Sequence, residues 1–219
     1  QIERYFKNIQ EQVVTFSGGR MVSRALPMLS EGFYFDAEEL AEEEEVVEAA
    51  TSSLQSYYEG PFTAAHNERS RTVDARSLLN GVSDQARVMQ ARYISDNSHP
   101  LGQKSNMDGS EEASSYNDLH MMFHRDMREF KENFGFSDLY LVNGESGDVV
   151  YSVNKDIDFA TSLSEGPFSS SPIGRVFQQA MALEFDRGFV QVDTSRYAPA
   201  YGELVNFVAS PVVSGGERV

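Results

Sequence analysis

Residues 134–155 read FGFSDLYLVNGESGDVVYSVNK, and the reading of this stretch decides the fold. Two apolar runs, 136–143 and 149–154, are separated by Gly144-Glu145-Ser146-Gly147. Glycines accept the positive φ that a tight loop needs, so the pattern predicts a β-hairpin. Strand alternation sets Tyr140 on the opposite face from Leu139 and Leu141, and Tyr151 opposite Val150.

Outward from the hairpin, Tyr116, Leu119/His120, Phe123, Met127 and Phe130 recur at helical spacing, and Gly135 closes that helix. Before it, 91–95 reads as a short strand and 96–114 as an irregular, turn-rich stretch. After the hairpin comes a long loop, 155–171. Ser171-Pro172 is a cap followed by a first-turn proline, and it opens a helix that turns Val176, Phe177, Ala180 and Met181 inward. Strands at 188–193 and 204–213 flank a loop holding Tyr197, Pro199 and Tyr201.

The first 90 residues read as helical. Ile2, Phe6, Ile9, Val13 and Phe16 alternate spacings of four and three, a short heptad seam. That seam fits either packing on its own domain or a parallel homodimer contact near a membrane. Gly18-Gly19 interrupts it, and the pattern continues less cleanly to Pro27. Asp36 with Glu39 reads as the capping-box start of a second helix, whose acidic run Glu42 to Glu45 is a solvated face and which Gly60-Pro61 ends. A third helix is predicted over 73–90. The expected organisation is a long N-terminal helix and helical segment at 1–90, then a sensor-like domain at 91–219 that lacks a final strand. Antiparallel strands with helices on one face make the class α+β.

Composition narrows the function. With 34 acids against 18 bases the formal charge is −16, which repels phosphate backbones and anionic bilayers, so nucleic acid is excluded as a partner. The absence of cysteine rules out disulfides and thiol catalysis. No apolar run is long enough to span a membrane. The chain opens at Gln1 directly into a helical pattern and stops in a turn at Ser214-Gly215-Gly216-Glu217. The expectation is a fragment of a longer protein whose membrane helices lie outside it.

Residues 85–213 resemble the PDC or Cache family of PAS-like extracytoplasmic sensors. The resemblance rests on Tyr93-Ile94 with Asn97, Pro100-Leu101-Gly102 and Lys104, on Tyr116, His120 and His124, and on the hairpin quoted above. Lys155, Asp158-Phe159-Ala160-Thr161, Gly166-Pro167-Phe168, and Val192-Asp193 with Tyr197, Pro199 and Gly202 complete it. It implies a PAS-like antiparallel sheet with flanking helices, in the periplasmic part of an inner-membrane receptor. Such domains serve methyl-accepting chemotaxis proteins, histidine kinases and membrane-bound cyclases, and they bind a small-molecule ligand rather than catalyse. The aromatic-and-arginine motif of amino-acid-binding members is not recognisable here, since the chain has no Trp.

The candidate ligand-binding residues are Tyr93, His120, Tyr140, Tyr151, Lys155, Asp158, Asp193 and Tyr197. An inward tyrosine brings apolar area and one hydroxyl that needs a partner, which suits either a pocket or an ordinary core. A lysine pairs with a ligand carboxylate and an aspartate holds an ammonium group, although Lys155, Asp158 and Asp193 equally suit solvent-exposed loops. His120 and His124, at i and i+4 with Asp118 nearby, share a helix face. They suit loop anchoring, a ligand pocket or zinc, but HExxH and a third ligand are missing, so neither a metal nor a cofactor is assigned. No nucleophile elbow, P-loop or dinucleotide fingerprint is present, and the serines near His and Asp are chance neighbours. The alternative to sensing is a partner-protein-binding module that docks through the acidic helices 36–58.

Overall fold

The computed structural model describes residues 2–184 and 188–219, and side chains from residue 7 within that range. The protein is α+β, about 52% helix with short antiparallel sheets. Ile2 and Phe6 of the predicted seam lie outside the described side chains.

Among the described residues eight α-helices run in chain order: α1 (Ile2–Ser17), α2 (Arg20–Ala41), α3 (Glu44–Tyr57), α4 (Thr63–Glu68), α5 (Ala75–Asn80), α6 (Asp84–Gln90), α7 (Ser115–Phe134) and α8 (Pro172–Met181). The six strands among the described residues form three separate antiparallel pairs. These are β1 (Tyr140–Val142) with β2 (Val149–Ser152), β3 (Val190–Tyr197) with β4 (Glu203–Ala209), and β5 (Val213–Ser214) with β6 (Glu217–Arg218).

The hairpin forms where the sequence places it, but β1 is shorter than the run 136–143. Its turn is only half a glycine device. Gly147 has φ +79°, whereas the other end is held by Asn143, whose Oδ1 accepts the N–H groups of Glu145 and Ser146. Alongside β2, the loop chain adds backbone bonds from Val149 to Thr161 and from Ala160 to Val149. The outer edge of β2 is thus paired at Val149, and all four of its residues are buried.

The helical half departs from expectation in three places. First, α2 passes through Pro27 and Asp36 without a break. Asp36 caps a helix, but not its own: its buried carboxylate accepts the Tyr116 N–H at 3.1 Å, one of the orphan donors at the start of α7. Gly32 lets the two helices come this close, since a Cβ there would lie 3.2 Å from the Tyr116 backbone. Second, the predicted helix 73–90 is two short ones, α5 and α6, each capped by its own side chain, Asp74 and Ser83. Third, 91–95 is not a strand but a π-helical turn continuing α6, with Tyr93 and Ile94 buried. The apolar run is one a strand and a buried helix share, and tertiary packing selected the helix.

One hydrophobic cluster joins Leu26, Leu29 and Phe33 of α2 with Leu54, Met89, Tyr93, Tyr116, Met127, Tyr151 and Phe159. The half-buried Phe16 of α1 stacks on Phe130 of α7 at 3.9 Å between ring centroids, and Ser17 hydrogen-bonds Ser210 at 2.8 Å. The end of α1 thus rests on its own domain. Among the described residues no helix is long and apolar enough to cross a membrane.

Candidate functional site

The register of the hairpin divides the predicted site in two. Leu141 faces Tyr151 across the ladder and Tyr140 faces Ser152, so the two tyrosines point to opposite sides of the sheet.

On the first side, α7 lies over β2, with the Tyr116 hydroxyl donating to the Val150 carbonyl at 2.7 Å. One turn and two turns further along α7, His120 and His124 stack with ring centroids 4.4 Å apart, both fully buried. A carbonyl only accepts, so their tautomers follow from their partners. His120 Nδ1–H donates to the Asp108 carbonyl (2.9 Å), which leaves Nε2 a bare acceptor with no partner. His124 Nε2–H donates to the Ser105 carbonyl (2.7 Å), so its Nδ1 accepts the Tyr151 O–H, also at 2.7 Å. Together they anchor the loop that the sequence shows as irregular. Burial holds His120 well below the ordinary imidazole range and pushes His124 down to about 3, with the Lys155 charge adding to both. Tyr93 packs edge-on against Tyr116 and tilted over His120. No group of three metal-ligating side chains is assembled among the described residues.

Lys155 was expected in a loop at the rim, and it is instead fully buried. Its ammonium donates to the Ser152 carbonyl and lies over the Tyr151 ring, 4.4 Å from the centroid. Burial pushes it down to about 7, against the opposing pull of Asp138.

On the second side, Tyr140 faces the β3–β4 pair, where Phe207 lies 6.2 Å away and Tyr197 packs edge-on to Phe207 at 5.0 Å. Asp158 projects into this aromatic group. The Tyr197 hydroxyl donates to its Oδ2 at 2.7 Å, while Oδ1, fully buried, has no partner. Gln90 fixes the segment that carries it: the amide donates at 2.8 Å to both the Ile157 and Phe159 carbonyls, and Tyr58 O–H donates to the Gln90 oxygen. Tyr201 O–H donates to Asp156 at 2.9 Å. Asp138 accepts the N–H groups of Leu139 and Asn154 on one oxygen and leaves the other without a partner.

Burial is the main cause that lifts all three acids. It raises Asp138 to about 6, Asp158 to about 7 with the Asp138 charge adding, and Asp156 to about 8 with Asp158 and Asp138 adding. Yet Asp138, Tyr140, Asp156 and Tyr201 keep part of their surface accessible despite this desolvation. These groups therefore sit at the edge of the buried region rather than deep inside it. The backbone is also strained here. Four non-glycine residues among those described adopt a left-handed φ, and three of them, Lys155 (+59°), Ala160 (+66°) and Tyr201 (+54°), border the site.

Of the eight predicted residues, Tyr140, Asp158 and Tyr197 meet on the acidic side, and Tyr93, His120, Tyr151 and Lys155 on the histidine side. Asp193 belongs to neither, because it is exposed on β3. Sequence reasoning missed Asp138, Asp156 and Tyr201. The pair Asp156 and Asp158, two apart, carried a period-2 signal, but the partnership with Tyr197 and Tyr201 spans about forty residues and leaves none. A separate open depression of about 350 Å³, lined by Ser164, Ser169, Ser170, Arg175 and Gln178, contains none of these residues. Compared with family models, curated proteins and solved structures, the chain matches none.

Proposed function

We propose that this chain is the periplasmic ligand-sensing domain of a bacterial transmembrane receptor, built on a PAS-like fold, with the Asp158–Tyr140–Tyr197 wall as its binding site. A chemotaxis receptor is the first choice of output, and a membrane-bound cyclase or histidine kinase the second. The observation that carries the reading is Asp158, a fully buried acid with an unpartnered oxygen, set among partly accessible polar side chains on strained backbone. A folded protein retains an unsatisfied buried carboxylate at a real cost, and a ligand that completes it offsets that cost.

The relay follows from the packing. Lys155 and Tyr151 join the acidic side to His124 on α7, and the far end of α7 carries Phe130, on which Phe16 of α1 is stacked. A ligand with different affinity for two arrangements of the site shifts α7 against α1, and a displacement of about 1–2 Å is enough for a signal. A homodimer through α1 would pass it on.

Thermal-shift screening of the chain against small metabolites tests the reading. A binder at a hundredfold excess over its Kd stabilises by ~2.7 kcal/mol, a rise in Tm of roughly 5–10 °C for a chain of this size. If no small solute stabilises the chain and a partner protein does, the module docks proteins instead.

A further inference from the structure

The charges around the acidic wall are set unevenly. Lys131 and Lys155 both act on Asp138, and Lys104 is held by Asp156 and Asp96. Besides burial, the main influences on Asp158 are the Asp138 charge, the hydroxyls of Tyr197 and Tyr140 and its own backbone N–H, and no cation is among them. Asp158 is thus the acid with no lysine set against it, and like Asp138 it keeps a buried, unpartnered oxygen. An anionic ligand has little to hold here, because the Lys155 ammonium is already engaged by the Ser152 carbonyl and the Tyr151 ring.

We infer that Asp158 is the anchor for an organic ammonium ion, its Oδ1 accepting an N–H of the ligand while the tyrosines wall the alkyl portion. The assignment rests on the sensing-site reading above and gives it a ligand class. A buried carboxylate oxygen with no donor, and with no lysine set against it, suits one ammonium group. A bare metal ion is a poor fit, since no three histidines or acids among the described residues come together to ligate one. The aromatic setting fits an organic cation, with Tyr197 between Phe168 (6.0 Å) and Phe207 (5.0 Å) and Tyr140 beside Phe207.

Proton linkage sharpens the inference. The titratable groups facing Asp158 are Asp138 before β1, Tyr140 on β1, Asp156 in its own loop, Tyr197 on β3 and Tyr58 after α3. The tyrosines are raised by burial and stay neutral, so of these groups only the acids titrate near neutrality, and Lys155 beside Asp138, lowered to about 7, titrates with them. Below about 7 Asp158 holds a proton and cannot pair with the ligand. Ammonium affinity therefore falls as pH drops from 8 to 6, by at most about tenfold per pH unit for one proton.

Calorimetric titration of the chain with ethanolamine, putrescine and glycine, against succinate and 1,4-butanediol, tests this at pH 6, 7 and 8. The expected result is binding of at least one amine, weakened at least tenfold in Asp158→Asn, with the Asp158 part of the pH dependence lost. Tyr197→Phe gives an independent readout should the first variant misfold, with weakening of about three- to tenfold. Binding of succinate or butanediol but no amine, or amine binding unchanged in both variants, overturns the ammonium assignment and leaves sensing intact. No binding by any small solute in this titration or the wider screen overturns both.

Discussion

The two sides of the β1–β2 hairpin use the same residue types to opposite ends. On the α7 side, two histidines, a tyrosine and a loop form a network in which every polar atom but His120 Nε2 has a partner, and the imidazoles are held neutral. On the β3–β4 side, tyrosines surround carboxylates that burial lifts towards neutrality and that keep unpartnered oxygens. A satisfied buried network rigidifies, whereas an unsatisfied one is poised to take a ligand. The first side reads as scaffold and the second as site.

The two sides also respond to pH with opposite sign. His124 is about 3 when folded and 6.5 when unfolded, so the unfolded chain binds more protons in that window. Its contribution is present above 6.5 and is lost as pH falls towards 3. Asp158 is 3.8 when unfolded and about 7 when folded, so its contribution is largest below 3.8 and is lost as pH rises towards 7.

Substitutions separate the two. His124→Ala gives the largest effect, a loss of ~2–4 kcal/mol at pH 7, because it opens a cavity and strands the Tyr151 hydroxyl, while the Ser105 carbonyl keeps only its bond from Arg128. In urea titrations the deficit shrinks towards pH 4. Asp158→Asn does the reverse: the ligand-free chain gains ~2–3 kcal/mol above pH 7, and the gain vanishes near pH 4. A destabilised Asp158→Asn at pH 8 would show that the carboxylate is structural, and the contrast between the sides would fail. Tyr151→Phe removes only a donor and costs ~1–2 kcal/mol at pH 7 by the same measurement. Asp193→Asn, on the exposed face of β3, changes stability by less than about 0.5 kcal/mol and leaves any ligand affinity alone.

The sequence was legible where a local device sufficed. Gly135, with φ +72°, ends α7 as its residue type demands, and Ser171-Pro172 starts α8. Both loops beside the hairpin were found, as was the solvated run Glu42 to Glu45, which is exposed. It was illegible where a local signal had two uses. Asp36 carries a cap signature that the fold spends on α7, eighty residues away, and Tyr93 sits in an apolar run that suited a strand equally well.

By itself the sequence determined the hairpin, the helices that flank it, the acidic charge and the identity of most side chains that line the two buried networks. Each of these follows from periodicity, turn chemistry or composition, which act over a few residues. Only the tertiary structure decided which face each side chain took, that Lys155 and Asp158 are buried while Asp193 is not, and that no lysine is set against Asp158. Burial and charge balance arise from contacts between distant segments, and they exist only once the chain has closed around them.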